Sequence, residues 1–310
     1  MTDADEAAAA WGARLVRKLA ERENAVYQIA LADGTRAALR LHRPGYRDAA
    51  VIRSELWWCG ALADSGLPVP RPLPSPQGVL LRQTGGARLA SVLSWVEGAP
   101  IGLGGMPLPG TRYTQARTYR ALGQLLAHLH SATDRLTLPP DFTLPHWTIE
   151  GIVGETPLWG RFWEHPLLTG AEARRLREVR AYLSARLTTA LPNADIGPIH
   201  ADVLRENVFV NDGSLSLIDF DDSGIGFRAH DLGTALSQNL SEPAFPEIRA
   251  ALIDGYAEHR ACDPDLVDTL TLARCAASVG WMIPRLGPDD PAHRRFITRA
   301  LDCAARVMGP

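Results

Sequence analysis

The sequence predicts an α+β chain in two unequal parts, a small β-rich first third and a larger, mostly helical remainder. Three observations point there. In the first third, short apolar runs flank tight-turn signals such as Asp33-Gly34. Beyond Glu97-Gly98, apolar residues recur at helical spacing. A single hairpin signal, Asn211-Asp212-Gly213, then interrupts the helices between Val208-Phe209-Val210 and Leu215-Ser216-Leu217-Ile218.

The elements follow in order. Glu6 to Leu19 is expected to be helical, because Trp11, Leu15 and Leu19 stand four apart. Ala25 to Leu31 and Arg36 to Leu41 form a strand pair around Asp33-Gly34. A helix over Ala49 to Asp64 places Ile52, Leu56, Cys59 and Leu62 on one face. Pro68, Pro70, Pro72, Pro74 and Pro76 alternate through a stretch that must be extended. Gly78 to Arg82 and Leu89 to Trp95 complete the strands. Past Glu97-Gly98, a hinge candidate, Thr111 caps a long helix whose stripe runs Tyr113, Ala116, Tyr119, Leu122, Leu126 and Leu129. Leu176, Val179, Leu183 and Leu187 mark another helix after Thr169, and further helices are expected over 229–239, 245–259, 264–279 and 291–308. The lobes divide as residues 1–95 and 96–310.

Composition narrows the class. With 310 residues, 46% hydrophobic and 22% charged, the chain is an ordinary globular one able to bury a large core. A formal net charge of −3 gives no electrostatic argument for nucleic acid or an anionic membrane. No apolar run is long enough to span a bilayer, and the acidic N-terminus lacks the basic region of a signal peptide. Cys59, Cys262, Cys275 and Cys303 are scattered, as thiols of a reducing compartment are, so a cytoplasmic location is expected.

The chemistry concentrates in Ile199-His200-Ala201-Asp202-Val203-Leu204-Arg205-Glu206-Asn207 and Leu217-Ile218-Asp219-Phe220-Asp221-Asp222. Asp202, Asn207 and Asp219 stand at offsets 0, +5 and +17, the wiring of metal-assisted phosphoryl transfer. A hydroxyl nucleophile needs a carboxylate to orient it and take its proton, and Asp202 suits that task. The phosphate needs Mg²⁺ on hard oxygen ligands, for which Asn207 and Asp219 are suited. His200 reads as a packed residue shaping the loop, since the base is already supplied. Arg205 either neutralises phosphate charge or pairs at the surface with Glu206 or Asp222, with the pairing favoured. Asp221 and Asp222 add charge nearby.

With loop, metal strand, hairpin and helix in this order, the chain resembles the aminoglycoside phosphotransferase and choline kinase-like family, over roughly residues 24–300. That resemblance implies a bilobal protein-kinase-like fold and an ATP-dependent kinase using Mg²⁺ on a small hydroxyl-bearing substrate. Asp202 matches the family's base, Asn207 and Asp219 its metal ligands, and Asp231 in His230-Asp231-Leu232-Gly233 the acid that braces the catalytic loop. On the nucleotide side it implies that Arg40 stands where most of the family has Lys and pairs with Glu55. No G-x-G-x-x-G loop lies over the phosphates; Glu23-Asn24-Ala25-Val26-Tyr27 occupies that place, and either phosphate covering or strand capping accounts for Asn24. Glu97, at the lobe boundary, joins Arg40, Glu55 and Asn24 as nucleotide-side residues.

Two alternatives share these residues. A protein Ser/Thr kinase would need an activation segment, yet only 11 residues separate Asp219 from Asp231. A nucleotide-binding pseudokinase would usually have lost one of the three site residues. The acceptor stays open among amino sugars, amino alcohols and hydroxy amino acids. Glu242, Glu247, Asp254 and Glu258 are either an acidic wall for an amine or a solvated face. Trp147, Trp159, Trp163 and Trp281 are core or pocket, core being preferred. His128 and His130 are packing or surface residues of the long helix rather than metal ligands.

Overall fold

A computed structural model describes residues 2–21 and 24–309, so Glu23 of the loop segment lies outside the described residues. In chain order the elements are α1 (Asp3–Ala10), β1 (Arg14–Glu21), β2 (Ala25–Ala30), β3 (Arg36–Leu41), α2 (Ala49–Asp64), β4 (Arg82–Gln83), β5 (Leu89–Ser94) and β6 (Ala99–Pro100). Then follow α3 (Arg112–Asp134), β7 (His146–Trp147), α4 (Ile149–Val153), α5 (Gly170–Ala190), β8 (Ile196–Ile199), β9 (Val208–Asn211) and β10 (Ser214–Leu217). The chain ends with β11 (Gly224–Phe227), α6 (Ala229–Ser237), α7 (Phe245–Ala257), α8 (Pro264–Met282) and α9 (Ala292–Met308). Two compact units result: Met1–Ala99 with Arg135–Leu144 and Phe209–Asp221, and Pro100–Asp134 with Pro145–Val208 and Asp222–Pro310. Among the described residues, no helix is long and apolar enough to cross a membrane.

The first unit is built on a five-stranded antiparallel sheet of order β1-β2-β3-β5-β4. Alternation sorts its side chains. Ile29, Ala37, Leu39, Leu41, Ala90 and Val92 pack in one cluster with Ala4, Ala7, Ala8 and Trp11 of the N-terminal segment. Arg40, between Leu39 and Leu41, points to the other side, where it reaches α2. Asp48 starts α2 by accepting the amides of Ala50 and Val51.

The expected helix over Glu6 to Leu19 is corrected. Helix α1 stops at Ala10, and Gly12, at φ +62, turns the chain into β1, which pairs antiparallel with β2. The spacing of Trp11, Leu15 and Leu19 fits a helix, but glycine in left-handed backbone just past a helix end is a stop signal. The sheet edge then supplies the hydrogen bonds that the helix would have made. The strand expected over Gly78 to Arg82 is found only from Arg82, where β4 begins, while β6, β7, β8 and β11 were not foreseen.

The second unit is mainly helical. Its small sheet has β11 at the centre, antiparallel to β8 and parallel to β7. Helices α3 and α7 approach through two glycines: a Cβ on Gly123 would stand 2.1 Å from the Leu252 carbonyl oxygen, and one on Gly255 2.1 Å from that of Arg120. Helix α6 is buried along its whole length. Thr169 opens α5 with a reciprocal capping box to Glu172.

Candidate active site

In the first unit, β3, α2 and the segment after β10 bring three charges together. Arg40 donates Nη1 to Glu55 Oε1 at 2.7 Å and Nη2 to Asp219 Oδ1 at 2.9 Å. Arg40 and Glu55 are 5% and 3% exposed, which excludes the alternative in which both are solvated surface groups. Burial works against charge on Arg40, but Glu55, Asp219 and Asp221 outweigh it and hold the guanidinium well above its ordinary value. Burial pushes the Glu55 carboxyl up, and Arg40 opposes that rise. Arg40 is therefore a fixed cation.

Asp219 lies in left-handed backbone at φ +66, an uncommon place for a non-glycine residue, and keeps its carboxylate about half exposed. Phe220 behind it packs edge-on against Trp58 of α2, with ring centroids 5.5 Å apart. Asn24 donates Nδ2 to Asp221 Oδ2 at 2.8 Å and accepts the Arg43 amide at 2.9 Å. Its amide thus ties the start of β2 to Asp221 and to Arg43, two residues past the end of β3. Glu97 is exposed and paired with Arg36.

In the second unit, the candidate loop runs from β8 through Asp202 into a 3₁₀ turn, Arg205–Asn207. Both oxygens of Asp202 have donors. Asn207 Nδ2 reaches Oδ2 at 2.7 Å, and Arg274 Nη2 of α8 reaches Oδ1 at 2.6 Å. Asn207 thereby spends its amide nitrogen on Asp202 and turns its carbonyl oxygen elsewhere. Ala201 sits in left-handed backbone at φ +62. That strain is carried by Asp231, which accepts the amides of His200 at 2.9 Å and Ala201 at 2.7 Å. Fully buried, Asp231 also meets His130 Nε2 at 3.0 Å, and His130 Nδ1 contacts the Tyr256 hydroxyl at 2.8 Å. Burial opposes the charge of Asp231, yet His130 and the His200 amide hold it below the usual carboxylate range. The expected brace is in place.

The donor types suit Mg²⁺. Asn207 and Asp219 offer hard oxygens, and Mg²⁺ takes one or two carboxylates with substrate phosphates rather than an all-protein cage. Among the described residues there is no group of three or more His, Cys, Asp or Glu that could hold a metal.

Other expectations need correction. Arg205 is 2% exposed and pairs with neither Glu206 nor Asp222; it donates to Asn239 Oδ1, Glu242 Oε1 and the Met106 carbonyl. The backbone of the 3₁₀ turn points it inward, where it ties the loop to the segments after α6 and before α3. The acidic wall also dissolves. Glu242 is bound by Arg205, Glu247 by Arg112 at 2.8 Å, and Asp254 and Glu258 by Arg120. Trp147, Trp159 and Trp163 are buried, as core residues are. His128 is a surface residue whose ring lies tilted against that of His259, with centroids 4.3 Å apart. The residue that the sequence reading missed is Arg274. Its signal was one cation inside Leu272-Ala273-Arg274-Cys275-Ala276-Ala277, a run that is otherwise apolar.

The model of a family described as "Phosphotransferase enzyme family" matches residues 16–264. A homoserine kinase of Sinorhizobium medicae is 30% identical over 245 residues, covering 73% of this chain and 64% of its own. The chain spans less than two thirds of the length of the curated relatives it matches. A microcompartment-associated aminopropanol kinase superposes with a TM-score of 0.84 at 25% identity, over 98% of this chain and 95% of that one. An amicoumacin kinase, solved in complex with AMP-PNP, Ca²⁺ and Ami, gives a TM-score of 0.72 at 20% identity, over 93% of this chain and 88% of that one.

Proposed function

The chain belongs to the phosphotransferase enzyme family, and on that premise we propose that it is an ATP-dependent kinase acting on a hydroxyl of a small molecule. The acceptor classes are amino sugars, amino alcohols and hydroxy amino acids; the homoserine and aminopropanol kinases among the relatives support the last two. The observation that carries the reading is the loop around Asp202, held at both carboxylate oxygens and clamped along its backbone by Asp231. Such fixation serves a group that must orient a nucleophile.

In the proposed reaction the acceptor oxygen bonds to the γ-phosphorus, the bond from that phosphorus to the bridging oxygen of ADP breaks, and Asp202 takes the hydroxyl proton. Arg40 holds the α- or β-phosphate, with Glu55 fixing its guanidinium. Mg²⁺ would be held by Asn207 and Asp219; when bound it neutralises phosphate charge. The four cysteines are free thiols, which supports a cytoplasmic, reducing location.

The test is a panel of hydroxylated amines and amino acids, read by ADP release. Asp202→Asn should bind ATP as wild type does while kcat falls ~10²–10⁴-fold, the range for a lost positioned base. Full turnover in that variant removes Asp202 from the role.

A further inference from the structure

Arg274 is 4% exposed on α8, and it spends one contact on Asp202. Its guanidinium lies over the Trp159 ring, 4.3 Å from the centroid. Neither Nε nor Nη1 has a hydrogen-bond acceptor among the described residues. A guanidinium carries five N–H donors, so a buried one with most of them unspent is costly unless a further acceptor joins it.

Its place decides what that acceptor is. Asn207 donates to Asp202 Oδ2 and Arg274 stands 2.6 Å from Oδ1, so an acceptor hydroxyl that bonds to Oδ1 arrives beside the Arg274 guanidinium. A hydroxyl bonded to Oδ1 at ordinary distance therefore lies no more than about 5.5 Å from Arg274 Nη2. Whatever the substrate carries beside its hydroxyl meets a cation there. The carboxylates that would have offset this charge with an acidic wall, Glu242, Glu247, Asp254 and Glu258, are each committed to an arginine.

Resting on the kinase reading above, we propose that Arg274 selects acceptors bearing a carboxylate near the reacting hydroxyl, a hydroxy acid or hydroxy amino acid. The substrate carboxylate takes the Nη1–Nη2 edge in the bidentate manner guanidinium favours. This exchange loosens the contact to Asp202 Oδ1, which then receives the hydroxyl proton as the new P–O bond forms and ADP leaves. Arg274 is on this reading both a substrate contact and a release for the base.

Matched acceptors test it. Homoserine and 3-aminopropan-1-ol differ by one carboxylate, as do threonine and 1-aminopropan-2-ol. Wild type should favour the acid of a pair by ~10²-fold or more in kcat/KM, the scale for a site built around a polar group. Arg274→Gln should reduce that preference at least tenfold, raising KM for the acid and leaving KM for ATP unchanged. Arg274→Lys, which keeps the charge and loses the fork, should fall between and covers the case in which the glutamine variant fails to fold. A wild-type preference for the amino alcohol, turnover of amino sugars alone, or a ratio that Arg274 variants leave unchanged would overturn this inference while the kinase reading stands. Absence of ADP release with every alcohol would remove both.

Discussion

At the scale of single residues, Arg40 takes the place where the resemblance implies a lysine, and its two ion pairs show what the guanidinium holds. An ammonium is a compact point charge, whereas the guanidinium fork spans two carboxylates at once, Glu55 through Nη1 and Asp219 through Nη2. If this cation serves the phosphates, Arg40→Lys should retain measurable ATP turnover with a shifted KM, because lysine is the commoner solution in this fold. Arg40→Ala leaves Glu55 buried beside no cation and should cut kcat/KM by at least ~10²-fold, the loss expected of a buried charge-assisted bond of a few kcal/mol. Steady-state kinetics against ATP checks both, and an alanine variant as active as wild type would refute the phosphate role. Arg40 and Glu55 were legible in the sequence because a strand followed by a helix fixes which side chains can meet. Arg205 and Arg274 were not. Their partners are 37 residues after the one, at Glu242, and 72 residues before the other, at Asp202, and no local rule connects them.

Among the elements, close helix contact decides what may be substituted. Gly123 of α3 lies against α7, where a Cβ would stand 2.1 Å from the Leu252 carbonyl oxygen and 2.7 Å from the Tyr256 nitrogen. Alanine is the better helix former by about 1 kcal/mol, yet it has no room here unless the helices separate. Gly123→Ala should therefore destabilise the protein by ~1–3 kcal/mol, the range for overpacking, seen as a Tm several degrees lower. An unchanged Tm would mean that α3 and α7 shift apart freely. Separation would also strain the contact of His130 on α3 with Tyr256 on α7, and so the support of Asp231 under the catalytic loop. Long helices such as α3 and α5 were readable because their apolar stripes and the Thr169 cap are local signals. Strands β8 and β11 were hidden for the opposite reason. They are written with Gly197-Pro198 and Gly224-Ile225-Gly226, poor strand formers. A Cβ on Gly224 would stand 2.4 Å from the Trp147 ring, so tertiary packing selects glycine there against strand propensity.

For the whole molecule, both units carry a histidine buried without charge, and acid should act on both. In the first, His42 lies against Ser91, and burial, with Arg40 and Arg88 nearby, pushes it down to about 3. In the second, His230 is stacked on Trp147 at 5.3 Å with neither ring nitrogen hydrogen-bonded, and burial, against the pull of Asp231, holds it down at about 4. The unfolded chain binds a proton at each imidazole as pH falls through about 6.5, while the folded chain does not until near the depressed values. Their contribution is therefore whole at neutral pH and is lost as pH falls through that window. At pH 5 each imidazole should have withdrawn about 2 kcal/mol of stability relative to pH 7 or above, a figure set mainly by the unfolded value. His230→Phe keeps a flat ring against Trp147 and removes the proton site. Urea unfolding of this variant at pH 7 and pH 5 should show a smaller acid loss than wild type, by about 2 kcal/mol, in the transition that reports the helical unit. Equal losses in the two proteins would mean that His230 takes up its proton in the folded state, with Asp231 as the counter-ion that makes this possible.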